Sequence, residues 1–355
     1  MRIALVGDGD SPHLLKWARA LGRQPGVELW VASSRGFLSG FDGIVPVSRR
    51  LSLSGRPGHG GGNVGALRAL PRLARWLRAV DADWLNPHYL TSHGTLVWLA
   101  KRVWRLRGDI VGSAWGSDIL VTPERSGLYR RITQRVLRSC ALCTSDSLHM
   151  SERMRALGAR EVMTFPFGLE VMPAVDGDKS PWLFFANRGL EPIYRPESVI
   201  DFFATVAAVR PEARLVVAND GSLRAALTAR VQSLGLGDRV QFTGRLDAAA
   251  QARWYGGARW YLSLPASDSV SVSVLEAMGH GCIPLLSDLP ANRELVRDGD
   301  NGLLVTDTTT PAALEALAVR ADDIGAANRD WVERHALFGP SVAALLARLQ
   351  THPPA

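Results

Sequence analysis

The chain has 355 residues, 46% of them hydrophobic, and a formal net charge of +7. Its length suits two domains, each with a sizeable core. No apolar run reaches the roughly 18 residues of a helical membrane span, and three cysteines, an odd number, argue against a disulfide framework and for a reducing compartment. Residues 1–7 read as a strand running into a glycine loop, not as a signal peptide.

Charge is uneven along the chain. Residues 1–170 hold 24 Lys and Arg against 13 Asp and Glu, whereas the remainder holds 17 against 21. A basic first half implies an anionic partner there: membrane lipid, a phosphorylated substrate or nucleic acid. No nucleic-acid reader motif accompanies the charge, so nucleic acid is set aside.

Strand-like and helix-like stretches alternate nearly throughout, the pattern of α/β units with parallel sheets. In the first half strands are expected at residues 2–6, 27–32, 109–113, 141–144 and 162–165, and helices at 12–21, 64–80, 96–106, 126–137 and 147–157. The connection 33–63 is long, and its stretch 58–62, all glycine but for His59, is expected to be flexible. On the 64–80 helix, Leu67, Leu70, Leu73, Trp76 and Leu77 form an apolar stripe and Arg68, Arg72, Arg75 and Arg78 a basic one. Residues 96–106 repeat the pairing with Trp98, Trp104, Lys101, Arg102 and Arg105. These helices fit either an interfacial helix at a membrane or an Arg-rich solvated face. Cys140 and Cys143 have CxxC spacing inside a strand-like run and read as a buried structural pair.

Residues 168–181, rich in Pro, Gly and Asp, read as a linker. The second half then restarts the pattern. Strands at 182–186, 213–218, 240–243, 260–264, 283–286 and 302–305 alternate with helices at 197–206, 223–234, 248–255, 271–278 and 292–297, and the tail 311–349 is helical in pattern. The expected division is a first domain at 1–168, a linker at 169–181, a second domain at 182–325, and a helical tail at 326–355 that packs back on the first domain.

In open α/β sheets ligands bind beyond the C-terminal ends of the strands, so polar residues at those ends carry the functional argument. Gly7, Asp8, Gly9, Asp10, Ser11, Pro12 and His13 join the first strand to its helix and form either a phosphate-approaching turn or a plain tight turn. Asn86-Pro87-His88 and Trp115-Gly116-Ser117-Asp118 stand at two further strand ends; Asp118 fits a helix cap or a sugar hydroxyl. Asn187-Arg188 follows the first strand of the second half, Tyr194-Arg195 opens its helix, and Gly244 lies in another strand-end turn. Arg188 can grip a phosphate bidentately or stand as a surface Arg.

The most informative stretch runs from Ser267 to Gly281, where seven residues separate Asp268 from Glu276. Pro265 ends the preceding strand, Ser269 or Ser271 can cap the following helix, and Gly279 and Gly281 stop it. Loop amides at a helix N-terminus suit phosphate, and carboxylates suit hydroxyls. That mixture fits a nucleotide sugar; the plain alternative is a capping Asp and a surface Glu.

Taken together, these residues resemble the retaining, two-Rossmann-domain (GT-B type) glycosyltransferases of family four. The resemblance covers essentially the whole chain and is most specific from Asp268 to Gly281, then Pro284 and Asn301 to Val305. The family's signature is Glu, seven residues, Glu-Ala-Met; here Asp268 stands for the first Glu. The family also places Arg and, about five residues later, Lys on the donor pyrophosphate. Arg188 matches the first, the Lys is absent, and Tyr194 and Arg195 stand nearby.

The resemblance implies an α/β fold of two doubly wound domains facing a central cleft. It implies a nucleotide-diphosphate sugar as donor substrate, a glycan or lipid-linked acceptor, and neither cofactor nor metal. Glu276 would bind the ribose hydroxyls. Asp268, with the amides of Ser269, Val270 and Ser271, would hold the donor sugar. Arg188 and Arg195 would neutralise the leaving diphosphate, with Gly244 walling the donor site. His88 would contact the donor sugar from the first domain, and Gly7, Gly9, Asp10, His13 and Asp118 would line an acceptor or phosphate loop. The expected location is cytoplasmic, peripheral on the membrane's cytoplasmic face where the basic half meets anionic lipid; the oligomeric state is open. Two rival functions share the fold: a nucleotide-sugar epimerase, and a homologue that binds sugar nucleotides without catalysis.

Overall fold

The computed structural model describes residues 1–53, 67–175 and 177–351. The glycine-rich stretch 58–62 and residues 64–66 of the expected helix lie outside them. The chain divides into two units, Met1–Phe165 with Phe338–Ala355, and Pro166–Leu337.

Unit 1 is built on seven strands: β1 (Arg2–Gly7), β2 (Glu28–Ser33), β3 (Arg50–Ser52), β4 (Trp84–Pro87), β5 (Asp109–Ser113), β6 (Cys140–Ser145) and β7 (Val162–Thr164). They lie in the order β3-β2-β1-β4-β5-β6-β7, and every pair is parallel. Helices α1 (Pro12–Gly22), α2 (Leu70–Val80), α3 (Thr95–Trp104), α4 (Ser117–Leu120), α5 (Thr122–Arg125), α6 (Gly127–Ser139) and α7 (Leu148–Ala156) connect them. β1 is Arg-Ile-Ala-Leu-Val-Gly, apolar on both faces and buried from Ile3 onward, as a strand covered by helices on both sides requires.

Unit 2 repeats the plan with β8 (Ser180–Ala186), α8 (Pro196–Val209), β9 (Arg214–Ala218), α9 (Arg224–Ser233), β10 (Val240–Gly244), α10 (Ala248–Gly257), β11 (Ala258–Ser263), α11 (Val272–Gly279), β12 (Ile283–Ser287), β13 (Leu303–Val305), α12 (Pro311–Ala318) and α13 (Ala321–His335). Its strands lie in the order β10-β9-β8-β11-β12-β13. In each sheet the strand order reverses once, between β1 and β4 and between β8 and β11. A crevice opens at such a reversal, because the connections on either side leave toward opposite faces.

Several local expectations are corrected. The long connection after β2 contains β3, which pairs with β2; three residues are too few to show alternation. Residues 292–297 hold a single 3₁₀ turn, Asn292–Glu294. The helical tail is three helices, α12, α13 and α14 (Phe338–Thr351). In α14, Phe338, Val342, Leu345 and Leu349 are buried, and the Phe338 ring lies 5.1 Å from Trp17 of α1, so α14 completes the core of unit 1.

The apolar stripe of α2 is used inside the unit. Leu73, Ala74, Leu77 and Val80 are buried, and Trp76 packs edge-on against Trp30 at 6.1 Å. Arg68, Arg72, Arg75 and Arg78 are exposed. The helix therefore presents cations to solvent, with Leu67 exposed beside Arg68, which argues against an apolar face inserted in a bilayer and leaves these arginines free for purely electrostatic contact with an anionic surface.

Residues 168 and 169, expected in a linker, are packed tightly instead. The Leu169 amide donates to the Ala336 carbonyl at 2.8 Å. A Cβ placed on Gly168 would lie 1.8 Å from that same oxygen. Gly168→Ala forces backbone against backbone and should lower the unfolding free energy by about 1–3 kcal/mol, the usual penalty of overpacking. Urea denaturation of the variant beside wild type checks this; an unchanged midpoint would show that the 168–169 and 336–337 segments can part freely.

Candidate active site

The reversal point of unit 2 gathers the residues of the Asp268–Glu276 stretch. Arg188 lies just past β8 and Asp268 just past β11, and their side chains pair at 2.9 Å (Nη2 to Oδ2). Both are largely out of water, with side-chain exposures of 19% and 20%. Burial pushes the Asp268 carboxyl up from its ordinary value, and the Arg188 guanidinium and the Ser269 amide oppose that rise. That amide donates to Asp268 Oδ1 at 3.1 Å, closing the turn that also contains buried Val270. The Arg188 guanidinium lies over the Tyr194 ring, 4.5 Å from its centroid.

Ser271 stands at the N-cap of α11, but its hydroxyl does not cap the helix. It accepts from Arg188 Nη1 and lies 2.8 Å from Ser273 Oγ, which also accepts from Arg188 Nη1 at 3.3 Å. The first turn of α11 therefore carries a guanidinium held by one carboxylate and two hydroxyls. Further along that helix, Glu276 Oε2 lies 3.1 Å from the Tyr255 hydroxyl and 3.3 Å from Gln251 Nε2. Arg195 is exposed at the start of α8 with φ +46°. Gly244, at φ +70°, accepts from the Asn219 amide at 2.6 Å.

The reversal point of unit 1 is organised around His88. It lies just past β4 and is 1% exposed. Its Nδ1 accepts from Trp115 Nε1 at 2.9 Å, so the ring proton sits on Nε2, which faces Asn86 Oδ1 at 3.3 Å. Burial, then the charges of His93 and His13, push its pKa well below the ordinary value, and the ring is neutral at pH 7. Asp118 is 2% exposed. Its Oδ2 accepts from the Leu90 amide at 2.7 Å and its Oδ1 from the Trp115 amide at 2.9 Å. It holds the loops after β4 and β5 and is closed off from a ligand hydroxyl. Tyr89, beside His88, adopts φ +61° and stacks on Trp115 with ring centroids 5.9 Å apart.

The loop after β1 reaches the same place. Gly7 ends β1, and the Gly9 amide donates to Ser33 Oγ at 2.7 Å. A Cβ on Gly9 would lie 2.5 Å from the Gly36 carbonyl, so glycine there answers a close backbone approach. Asp10 pairs with Arg35 at 3.4 Å, and the His13 ring lies 4.6 Å from Trp115. Asp8, Ser11, His13, His88, Tyr89 and Trp115 line one small pocket.

Several residues at these sites escape a reading of strand-end motifs. Tyr255, Tyr261, Gln251 and Ser273 surround Glu276 and Arg188, and Asp8 and His93 pair at 3.4 Å in unit 1. A tyrosine in a fully buried strand needs a partner for its hydroxyl; Tyr261 in β11 is the signal that leads to this network. Among the described residues, no group of three or more His, Cys, Asp or Glu is arranged to hold a metal ion.

Two parallel, doubly wound units of this kind have the architecture of the GT-B fold. Residues 2–147 match the family described as glycosyl transferase 4-like, and residues 174–332 match glycosyl transferases group 1. The chain belongs to these family-four glycosyltransferases. It is 27% identical over 270 residues to the phosphatidyl-myo-inositol mannosyltransferase of Mycobacterium leprae, covering 72% of this chain and 70% of that one. It is 30% identical over 122 residues, 32% of this chain and 31% of the other, to the GDP-mannose:cellobiosyl-diphosphopolyprenol alpha-mannosyltransferase of Xanthomonas oryzae pv. oryzae. In fold it is similar to Anabaena HepE, solved in complex with UDP-glucose, with a TM-score of 0.76 and 16% identity over 98% of this chain and all of that one.

Asp8 supplies a pH signature for unit 1. Burial pushes its carboxyl up, but His93, Ser34 and Arg35 outweigh burial and bring it from 3.8 down to about 2. A carboxyl lowered on folding stabilises the protein above its unfolded value and loses that contribution as pH falls toward its folded value. Wild type should exceed Asp8→Asn in unfolding free energy by about 2 kcal/mol at pH 7. The gap should shrink between pH 4 and pH 2. Denaturant titrations across that range check it; a gap independent of pH would remove the ionised Asp8 from the account.

Proposed function

We propose that this glycosyltransferase moves a sugar from a nucleotide-diphosphate donor to a glycan or lipid-linked acceptor, with retention at the anomeric carbon, in glycolipid or surface-polysaccharide synthesis. The observation that carries the reading is the Arg188–Asp268 pair at 2.9 Å, at the reversal point of a parallel sheet and on the same turn-and-helix stretch as Glu276. Mannosyltransferases acting on phosphatidyl-myo-inositol and on a diphosphopolyprenol stand among its relatives, which supports a lipid-linked acceptor.

In this reading Glu276 accepts from the ribose hydroxyls. The Ser269–Ser271 turn and Asp268 hold the donor sugar, and Arg188 meets the diphosphate. As the bond from the anomeric carbon to the phosphate oxygen breaks, negative charge grows on that oxygen. A fixed cation in a low-dielectric crevice stabilises it more than the ground state. The acceptor oxygen bonds to the anomeric carbon on the face the phosphate leaves, and its proton passes to the departing phosphate. Neutralisation thus falls to Arg188, with exposed Arg195 as the second cation in place of the family's Lys, and the reading asks for no metal ion. Unit 1 is assigned the acceptor, on the loop after β1.

Arg188→Ala should lower kcat roughly a hundredfold while the donor KM moves only a few-fold, because the interaction strengthens in the transition state. Transfer from radiolabelled nucleotide sugars to a lipid extract measures both. A change confined to the donor KM would remove Arg188 from the chemical step.

The exposed arginines of α2 and its approach support a second element of the reading, reversible docking on an anionic membrane. Each basic residue near such a surface contributes about 1 kcal/mol, screened by salt. The protein should sediment with anionic vesicles, weakly with neutral ones, and release at high salt. Charge reversal at Arg68, Arg72 and Arg75 should abolish the difference and leave transfer to a soluble acceptor analogue intact. Equal recovery with both vesicle types would overturn the docking.

A further inference from the structure

We propose that Tyr255 and Asn187 are positioning residues that aim the Glu276 carboxylate at the donor ribose and keep it in register with Arg188. The inference rests on the assignment of Glu276 to the ribose hydroxyls.

Asn187 immediately precedes Arg188 and is 8% exposed. Its Nδ2 donates to the Tyr255 hydroxyl at 2.7 Å, and its Oδ1 accepts from the Tyr261 hydroxyl at 2.7 Å. Tyr255 and Tyr261 are 1% and 0% exposed. A phenol has one proton to donate. With its oxygen accepting from Asn187, the Tyr255 hydroxyl directs that proton toward Ser273 O and Glu276 Oε2, each 3.1 Å away. Gln251 Nε2 donates to the same carboxylate oxygen at 3.3 Å. Two donors from α10 thus converge on one oxygen of a carboxylate borne by α11 and fix its plane.

The other branch runs to the cation. The Tyr261 hydroxyl lies 2.8 Å from Ser273 Oγ, which accepts from Arg188 Nη1 at 3.3 Å. An unbroken path of polar contacts therefore joins Glu276 to Arg188 through Tyr255, Asn187, Tyr261 and Ser273. Three of its members are anchored from outside the path. Asn219 Nδ2 donates to the Asn187 carbonyl at 3.2 Å. The His280 ring stacks on Tyr255 with centroids 5.2 Å apart, and its Nδ1 lies 2.8 Å from the Glu276 carbonyl. Burial raises the pKa of both phenols, so each remains a donor. A buried network with its members satisfied selects one geometry of its side chains, here the spacing between a ribose ligand and a diphosphate ligand.

A core network that only stabilised the fold would weaken all ligands alike when cut. A network that aims Glu276 acts on the ribose alone. The test is calorimetric binding of UDP, GDP and ADP to the whole protein, followed by the 2′-deoxy form of whichever binds. Wild type should prefer the ribonucleotide by about tenfold, the worth of a hydrogen bond to a charged group. Glu276→Ala should bring the ratio near one. Tyr255→Phe removes one oxygen and Asn187→Ala removes the amide that orients it. Either should cut the preference to within about threefold while affinity for the deoxynucleotide stays within about twofold of wild type.

A wild type with no preference, or a preference that survives in Glu276→Ala, would overturn the ribose assignment itself. Loss of preference in Glu276→Ala with full preference in both Tyr255→Phe and Asn187→Ala would overturn the positioning role and leave the assignment standing. Equal weakening of both nucleotides in the two variants would likewise reduce the network to a structural one.

Discussion

A guanidinium and a carboxylate removed from water must compensate each other, and in unit 2 Arg188 and Asp268 do so across the gap where the strand order reverses. The desolvation of two such charges is recovered only where geometry is good and further hydrogen bonds satisfy the remaining donors. That requirement accounts for the surroundings. Ser271 gives up its capping role to face Arg188, Ser273 joins it, and the Tyr194 ring covers the guanidinium. A backbone bond ties the loops after β8 and β11 beside the pair, the Ala266 amide donating to the Ile193 carbonyl at 2.8 Å. An anionic phosphate arriving at Arg188 meets a cation already placed and partly dehydrated, which is the condition for strong electrostatic stabilisation.

Unit 1 solves a different problem. Its reversal point concentrates three imidazoles, and repulsion among them together with burial keeps His88 neutral. Asp8, with its lowered carboxyl, lies at the opposite end of the His93 ring from the His88 carbonyl, which is 2.8 Å from His93 Nδ1. His93 thereby links the loop after β1 to the main chain at His88. Asp118 does the same for the loop after β5, by accepting two backbone amides. The two units thus share a topology while one presents a charged crevice and the other a largely internal polar frame.

The alternation of strands and helices was legible in the sequence because parallel strands buried on both faces leave runs such as Ile-Ala-Leu-Val in β1. Arg188, Asp268 and Glu276 were legible as strand-end and helix residues at a signature spacing, and the structure brings the first two into contact. What pattern could not show was which side chains close on themselves. Asp118 looks the same in sequence whether it faces a ligand or caps two amides. The arginines of α2 look the same whether the leucines beside them face a membrane or the core. Short elements also hid. Three residues of β3 show no period, and the helical tail breaks at residues 319–320 without a proline, while Gly339-Pro340 in the first turn of α14 is the mark of the break at 336–337. A hydroxyl leaves no trace in a hydrophobic pattern, so Tyr255 is hidden in it, and Tyr261 is singled out only by the need of a phenol in a buried strand for a partner.

The path of the chain has a consequence for synthesis. Unit 2 is one continuous segment, Pro166–Leu337, whereas unit 1 is made of Met1–Phe165 and the helix that begins at Phe338. Phe338, Val342 and Leu345 lie in the core of unit 1, so that core cannot close until α14 has left the ribosome. Domains generally fold as they emerge, which here inverts the order of the polypeptide: the later-encoded unit is complete first, and the earlier one waits with an uncovered apolar face beside α1. A nascent chain halted before residue 338 would thus expose that face to chaperones, and the final helix acts as the latch that ends the waiting.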